Sequence, residues 1–190
     1  MLDATTLLEE YYLPHTKAHN ILLQHSQAVA KKSVNIATRL LNSDNHRYAD
    51  IDINFIRQAA LLHDIGIFAT YAPNLGCYGT QPYLRHGIVG HAVLLEHGLP
   101  RHASVCQNHI GVGLSAAEIK EQNLPLPEQD YLPQNLAEQI ITYADLFFSK
   151  NPSRLQQEKS AATVRRTVLS YGAEKGLVFD RWHAVFAPPE

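Results

Sequence analysis

Residues 19–41, HNILLQHSQAVAKKSVNIATRLL, contain neither proline nor glycine. Leu22, Val29, Ile36 and Leu40 recur there on one stripe of a helix, so this element buries one face and wets the other. His25 stands on that stripe, three residues after Leu22 and four before Val29. This constrains the fold twice. The apolar stripe needs partner helices to cover it, and the imidazole within it needs a polar partner.

Helical periodicity accounts for most of the remaining chain. A short helix is expected over 3–12, ending before Pro14, then the long one over 19–41 and a loop at 42–45. The next helix covers 53–65, with Gly66 as a left-handed stop. Residues 71–82, YAPNLGCYGTQP, read as a Gly/Pro-punctuated loop. Helices follow at 84–97 and 101–109. GVGLS is a turn, and Ser115 and Glu118 have capping-box spacing for a short helix. LPLPEQDYLP is an extended connector. A helix at 135–149 precedes a pair at 158–171 and 174–186, broken at Gly172. No stretch reads as a strand and none repeats. The expected fold is all-α, one domain over 1–190, with a motif-bearing core at about 20–150 and the C-terminal pair packed on it. The chain has 190 residues, enough for one core, and its 45% hydrophobic content suits a globular domain.

A formal net charge of −2 supplies no basic field for general nucleic-acid binding. Cys77 and Cys106 lack CxxC spacing, so a reduced cytoplasmic protein is expected. Glu9 and Glu10 interrupt the first apolar stretch, unlike a secretory leader, and no apolar run is long enough for a bilayer.

Eleven histidines are the compositional outlier, and their placement separates them. His25, His63, His86 and His109 fall on apolar helix faces. His15, His19, His46, His97, His102 and His183 fall in loops, at helix ends or on polar faces, and His91 points away from the face of His86. A lone inward histidine is commonly a hydrogen-bonded core residue. Inward carboxylates are harder to accommodate. Asp64, in LLHDIG, and Asp145, four residues after Ile141, each cost several kcal/mol to bury without a partner. The nearest lysines, Lys31 and Lys32, fit the solvent side of the long helix. A cation answers the need, and imidazoles with carboxylates suit Zn, Mn, Fe, Co or Ni.

The order His25, then His63-Asp64, then Asp145 resembles the HD-domain superfamily of metal-dependent phosphohydrolases. LLHDIG matches its HDIG motif, ITYADLF the segment bearing its last aspartate, and QHSQAVAKKSVNIA its first-histidine helix. RHGIVGHAVLLEHGLP and NHIGVGLS are similar to segments of the symmetrical diadenosine-tetraphosphate hydrolases. The HIGxGL and DYLP stretches resemble an uncharacterised group of small HDIG-domain proteins. The cyclic-dinucleotide phosphodiesterases of the superfamily differ: here Ile67 follows Gly66, and Asn108 precedes His109.

The resemblance implies two divalent metals per chain. His25, His63, Asp64 and Asp145 would hold the first; Asp64 would bridge to a second held also by His86 and His109. It further implies hydrolysis of a phosphoester or phosphoanhydride, in a nucleotide or dinucleotide, with Asp64 and His63 catalytic and Asp64 positioning the attacking water. A regulatory HD protein without turnover and an oxidative di-iron enzyme are the alternatives.

Lys150, Arg85 and Arg154 are the candidate clamps for a small phosphorylated substrate, or else solvated surface charges. Tyr71, Tyr78 and Tyr83 make the 71–82 loop either a lid that stacks on a base or an ordinary surface loop. Val164, Val168, Phe179, Trp182 and Phe186 make the C-terminal pair either core packing or the face of a homodimer.

Overall fold

Side-chain caps set most helix starts in the computed structural model, which describes residues 3–43 and 45–188. Asp44, in the expected 42–45 loop, lies outside the described residues. Asp3 caps α1 (Ala4–Glu9), Thr16 caps α2 (Lys17–Leu41) and Asp52 caps α3 (Ile53–Leu62). Each accepts an amide proton that the first turn cannot satisfy internally. After α4 (His86–Glu96), Pro100 starts α5 (Pro100–Asn108), where its missing N–H costs nothing. Ser115 and Glu118 form the expected reciprocal capping box on α6 (Ala116–Glu121). Asn135 caps α7 (Leu136–Asp145) and Ser160 caps α8 (Ala161–Leu169). Gly172, at φ +144°, separates α8 from α9 (Ala173–Phe186).

The fold is all-α, with one small exception. Inside 71–82, β1 (Tyr71–Ala72) pairs antiparallel with β2 (Cys77–Tyr78), matching Tyr71 to Tyr78 and Ala72 to Cys77. The chain thus holds a strand pair where none was expected. Two residues per strand are too few to show alternation.

Gly66 does not stop the third helix as a left-handed residue, contrary to expectation. The third helix ends at Leu62, and the chain continues through a 3-10 turn, Ile65–Ala69. Gly66 sits inside that turn and is not among the glycines of positive φ. Its lack of a side chain serves close approach: a Cβ there would run into the His86 carbonyl oxygen and the Gly90 amide nitrogen. Gly66 thus lets the segment after His63-Asp64 lie directly against the first turns of α4.

Two large apolar clusters meet along α2. Val29, Ile36, Ala37 and Leu40 join Ile56, Ile140, Tyr143, Val164 and Phe179 in one. Ile21 and Leu22 join Leu8, Leu62, Ile65, Leu94 and Cys106 in the other. His25 lies between Leu22 and Val29, at the seam. The C-terminal pair packs on α7 through Val168, Phe179 and Phe186. His183 belongs to this packing and not to a polar face: it stacks on Phe179 and hydrogen-bonds the Tyr143 hydroxyl at 2.7 Å. His102 is likewise buried, edge-on to Phe55.

Candidate metal centre

At the seam, six side chains from five helices or helix ends converge. His25 comes from the middle of α2, His63 caps the end of α3, and Asp64 follows it. His86 begins α4, His109 caps the end of α5, and Asp145 is the last residue of α7. His25, His63 and Asp64 have no exposure, and His86 and His109 have almost none. His25 Nε2 lies 2.9 Å from Asp145 Oδ1 and 3.3 Å from Asp64 Oδ2. His63 Nε2 lies 3.1 Å from Asp64 Oδ2 and 3.4 Å from Asp145 Oδ1. Asp64 Oδ1 is 3.5 Å from Nε2 of both His86 and His109. The atoms form two overlapping sets that share Asp64, each with all its ligand atoms within 4.8 Å of one another.

Three backbone carbonyls settle which nitrogens face inward. Nδ1 of His63, His86 and His109 donates to Ala60, Tyr83 and Cys106, each three residues earlier, at 2.7, 2.7 and 2.8 Å. That fixes the tautomer whose Nε2 carries the lone pair, as in metal-bound histidines. The inward atoms are close but poorly directed toward one another. His25 Nε2, His63 Nε2, both Asp64 oxygens and Asp145 Oδ1 are buried without a well-formed hydrogen bond. Such atoms are costly to bury unless a cation collects their lone pairs. The donor set, imidazole nitrogen with carboxylate oxygen, fits divalent transition metals.

Charge divides the two sets. Burial works against a charged His63, yet Asp64 and Asp145 push it up to about 10. Burial pushes His86 down to about 3, although Asp64 acts in the opposite direction. Burial also opposes the charge on Asp64, but His63 and Lys150 hold its carboxyl well below the usual range. Lys150 Nζ stands 2.7 Å from Asp64 Oδ2.

Of the three candidate substrate clamps, the structure brings Lys150 to the cluster. Arg154 is exposed, and Arg85 is half-buried with an enclosed, unbonded Nε. Among the described residues, neither forms an ion pair with the cluster. Lys32 lies elsewhere, paired with Glu158 at 2.6 Å. Tyr71, Tyr78 and Tyr83 are all exposed, Tyr83 least, and Tyr83 packs its ring against His86 with its hydroxyl beside Lys150.

Several supports carry no periodic signal in the sequence. The Tyr12 hydroxyl donates to the Ile65 carbonyl at 2.8 Å and accepts from the Phe68 amide at 2.8 Å, pinning the HDIG turn. The Cys106 thiol donates to the carbonyls of Leu62 and His63, both at 3.1 Å. Asn108 is tied to Glu138 Oε2 at 3.1 Å, while Glu138 also accepts from Ser104, Gln134 and Asn135. This buried network holds the end of α5, and so His109, against α7.

The HD domain family model matches residues 22–148, and the chain belongs to that family. The family lies within the metal-dependent phosphohydrolase superfamily, whose members bind divalent metals. An uncharacterised protein of Methanocaldococcus jannaschii is 32% identical over 65% of this chain and 64% of its own length. A tRNA (cytidine(56)-2'-O)-methyltransferase of Thermoplasma volcanium is 28% identical over 83% of this chain but 40% of its own length. One of Picrophilus torridus is 27% identical over 70% of this chain and 33% of its own. The chain thus spans less than two thirds of each of these relatives. No solved structure matches it. No helix among the described residues is long and apolar enough to cross a membrane.

Proposed function

We propose that the protein is a metal-dependent phosphohydrolase acting on a small phosphorylated molecule, a nucleotide or a related phosphoester or anhydride. One observation carries this reading: buried imidazole nitrogens and carboxylate oxygens from five helices converge in two overlapping sets that share Asp64, the ligand atoms of each set lying within 4.8 Å of one another. His25, His63, Asp64 and Asp145 would hold one metal, and Asp64, His86 and His109 a second. Cations bound there would neutralise phosphoryl oxygens and acidify a water.

The chain's own groups do the rest. Asp64 orients the attacking water, because its two oxygens serve both ligand sets. Lys150, already within ion-pair distance of Asp64, binds a phosphoryl oxygen and offsets its charge. Tyr83 confines Lys150 from the side of α4. The carbonyls behind His63, His86 and His109 keep the rings from turning as the substrate binds.

The relatives named as tRNA methyltransferases share this segment within much longer proteins. The net charge of −2 favours a small substrate over RNA. The test is turnover by protein reconstituted separately with Mn, Fe, Co, Ni and Mg, on nucleotides, dinucleoside polyphosphates and simple phosphoesters. Metal-dependent phosphate release supports the reading. Retained metal without turnover on any of them, or oxygen consumption coupled to substrate, rejects it.

A further inference from the structure

Asp145 belongs to two features at once. Its Oδ1 faces His25 and His63, and the residue also lines a cavity of about 410 Å³ beside the cluster. The wall is mostly apolar, with Leu84 from the turn before α4, Val112 from the loop after α5, Leu146, and Val164 and Val168 from α8. Besides Asp145, the polar side chains are Gln122, Lys159, Thr167, Tyr171 and the Glu118–Lys175 pair. Lys175, buried on α9, donates to the Gly113 carbonyl and to Glu118, both at 2.7 Å, and so fixes the loop that forms one side. Apolar walls with a few placed polar groups, in a volume of about 300–1,000 Å³, are the make-up of a small-molecule site. A second groove, about 710 Å³ along α2 by Lys31 and Arg39, includes no residue of the cluster.

Much of the 410 Å³ cavity is built from outside the family-matched segment. Lys159, Val164, Thr167, Val168, Tyr171 and Lys175 all follow residue 148. The α8–α9 pair therefore does more than extend the core. It closes one side of a space that opens on the reacting end of α7.

We propose that this cavity holds the organic part of the phosphorylated substrate, one ring-bearing group of nucleoside size, and that α8 is its specificity wall. The proposal rests on the phosphohydrolase reading. Asp145 is the cluster residue that lines the cavity, beside Leu146, Val164 and Val168, so a phosphate bound at the cluster would turn its ester substituent toward those side chains. The volume suits one nucleoside, so a dinucleotide would leave its second half outside. Lys159, held by the Leu146 carbonyl at 2.7 Å, stands where the ring system joins the phosphate.

The test uses Mn-reconstituted full-length protein, the common nucleoside 5'-monophosphates, their parent nucleosides, and glycerol phosphate as a ringless ester. The wild type is expected to prefer its best nucleotide over glycerol phosphate by at least about tenfold in kcat/KM, and to bind the parent nucleoside by calorimetry. Thr167→Trp, an exposed position facing the cavity, should reduce that preference and weaken nucleoside binding by about tenfold or more. Gln122→Trp, also exposed, repeats the test from another element if the first variant folds poorly. Nucleoside binding lost in the variants, without turnover of any ester, keeps the pocket and rejects the phosphohydrolase. Equal turnover of ringed and ringless esters, with no nucleoside binding, keeps the phosphohydrolase and overturns the pocket.

Discussion

His86 Nε2 and His109 Nε2 face each other at 3.2 Å, and the Nδ1 proton of each is committed to a backbone carbonyl. Two lone pairs this close repel unless something positive lies between them. Burial pushes His86 down to about 3, which disfavours a proton there at neutral pH. A bound cation between them removes that repulsion. His109→Ala is therefore expected to lower metal content from about two per chain to about one, as for a two-metal site. Elemental analysis of Mn-reconstituted protein measures this. A stoichiometry that starts at one and stays there would make both residues polar wall.

Asp64 is shared by both ligand sets. Asp64→Ala should abolish hydrolysis and deplete both metals, while circular dichroism shows the helices largely retained. Full activity in this variant contradicts the proposed mechanism.

His63 makes metal binding proton-linked. Its pKa is raised from 6.5 to about 10, so in metal-stripped protein its proton contributes stability below pH about 6.5, and that contribution is lost as pH rises through about 10. Metal affinity moves the other way, because a ligand nitrogen must be unprotonated. Competition with a chelator should show affinity rising with pH, by up to about tenfold per unit, between about pH 7 and 9. A flat profile would show that His63 carries no proton that the metal displaces.

Gly66→Ala places a methyl group against the backbone of His86 and Gly90, which cannot move aside as a side-chain tip would. The expected cost is about 1–3 kcal/mol, or roughly 2–4 °C in Tm per kcal/mol. The variant should also bind the second metal more weakly, since the added methyl separates Asp64 from His86. Unchanged melting and stoichiometry would mean that the 3-10 turn adjusts freely.

Helix content and the inward positions of His25, His63, His86, His109 and Asp145 were legible because a 3.6-residue period shows which side chains share a face with Leu and Val. The order of the motif supplied the family. Other features were hidden for physical reasons. Gly66 reads locally as a helix stop, and its contact with α4 depends on a residue twenty positions away. Tyr12 and Cys106 look apolar by pattern, yet their hydroxyl and thiol satisfy backbone atoms of the HDIG segment. Lys159 belongs to the cavity only because the segment before α8 returns to bond the Leu146 and Phe147 carbonyls beyond α7. Arg85, Lys150 and Arg154 were all nominated by position along the chain, and Lys150 reaches Asp64 from the segment five residues beyond Asp145 by a long, flexible stem.

Anomalous diffraction from crystals of Mn-reconstituted protein tests the central claim most directly. Two peaks are expected, one contacted by His25, His63, Asp64 and Asp145 and the other by Asp64, His86 and His109. No peak among these six side chains, in crystals of protein whose Mn content has been verified, would contradict the metal centre and the hydrolase built on it.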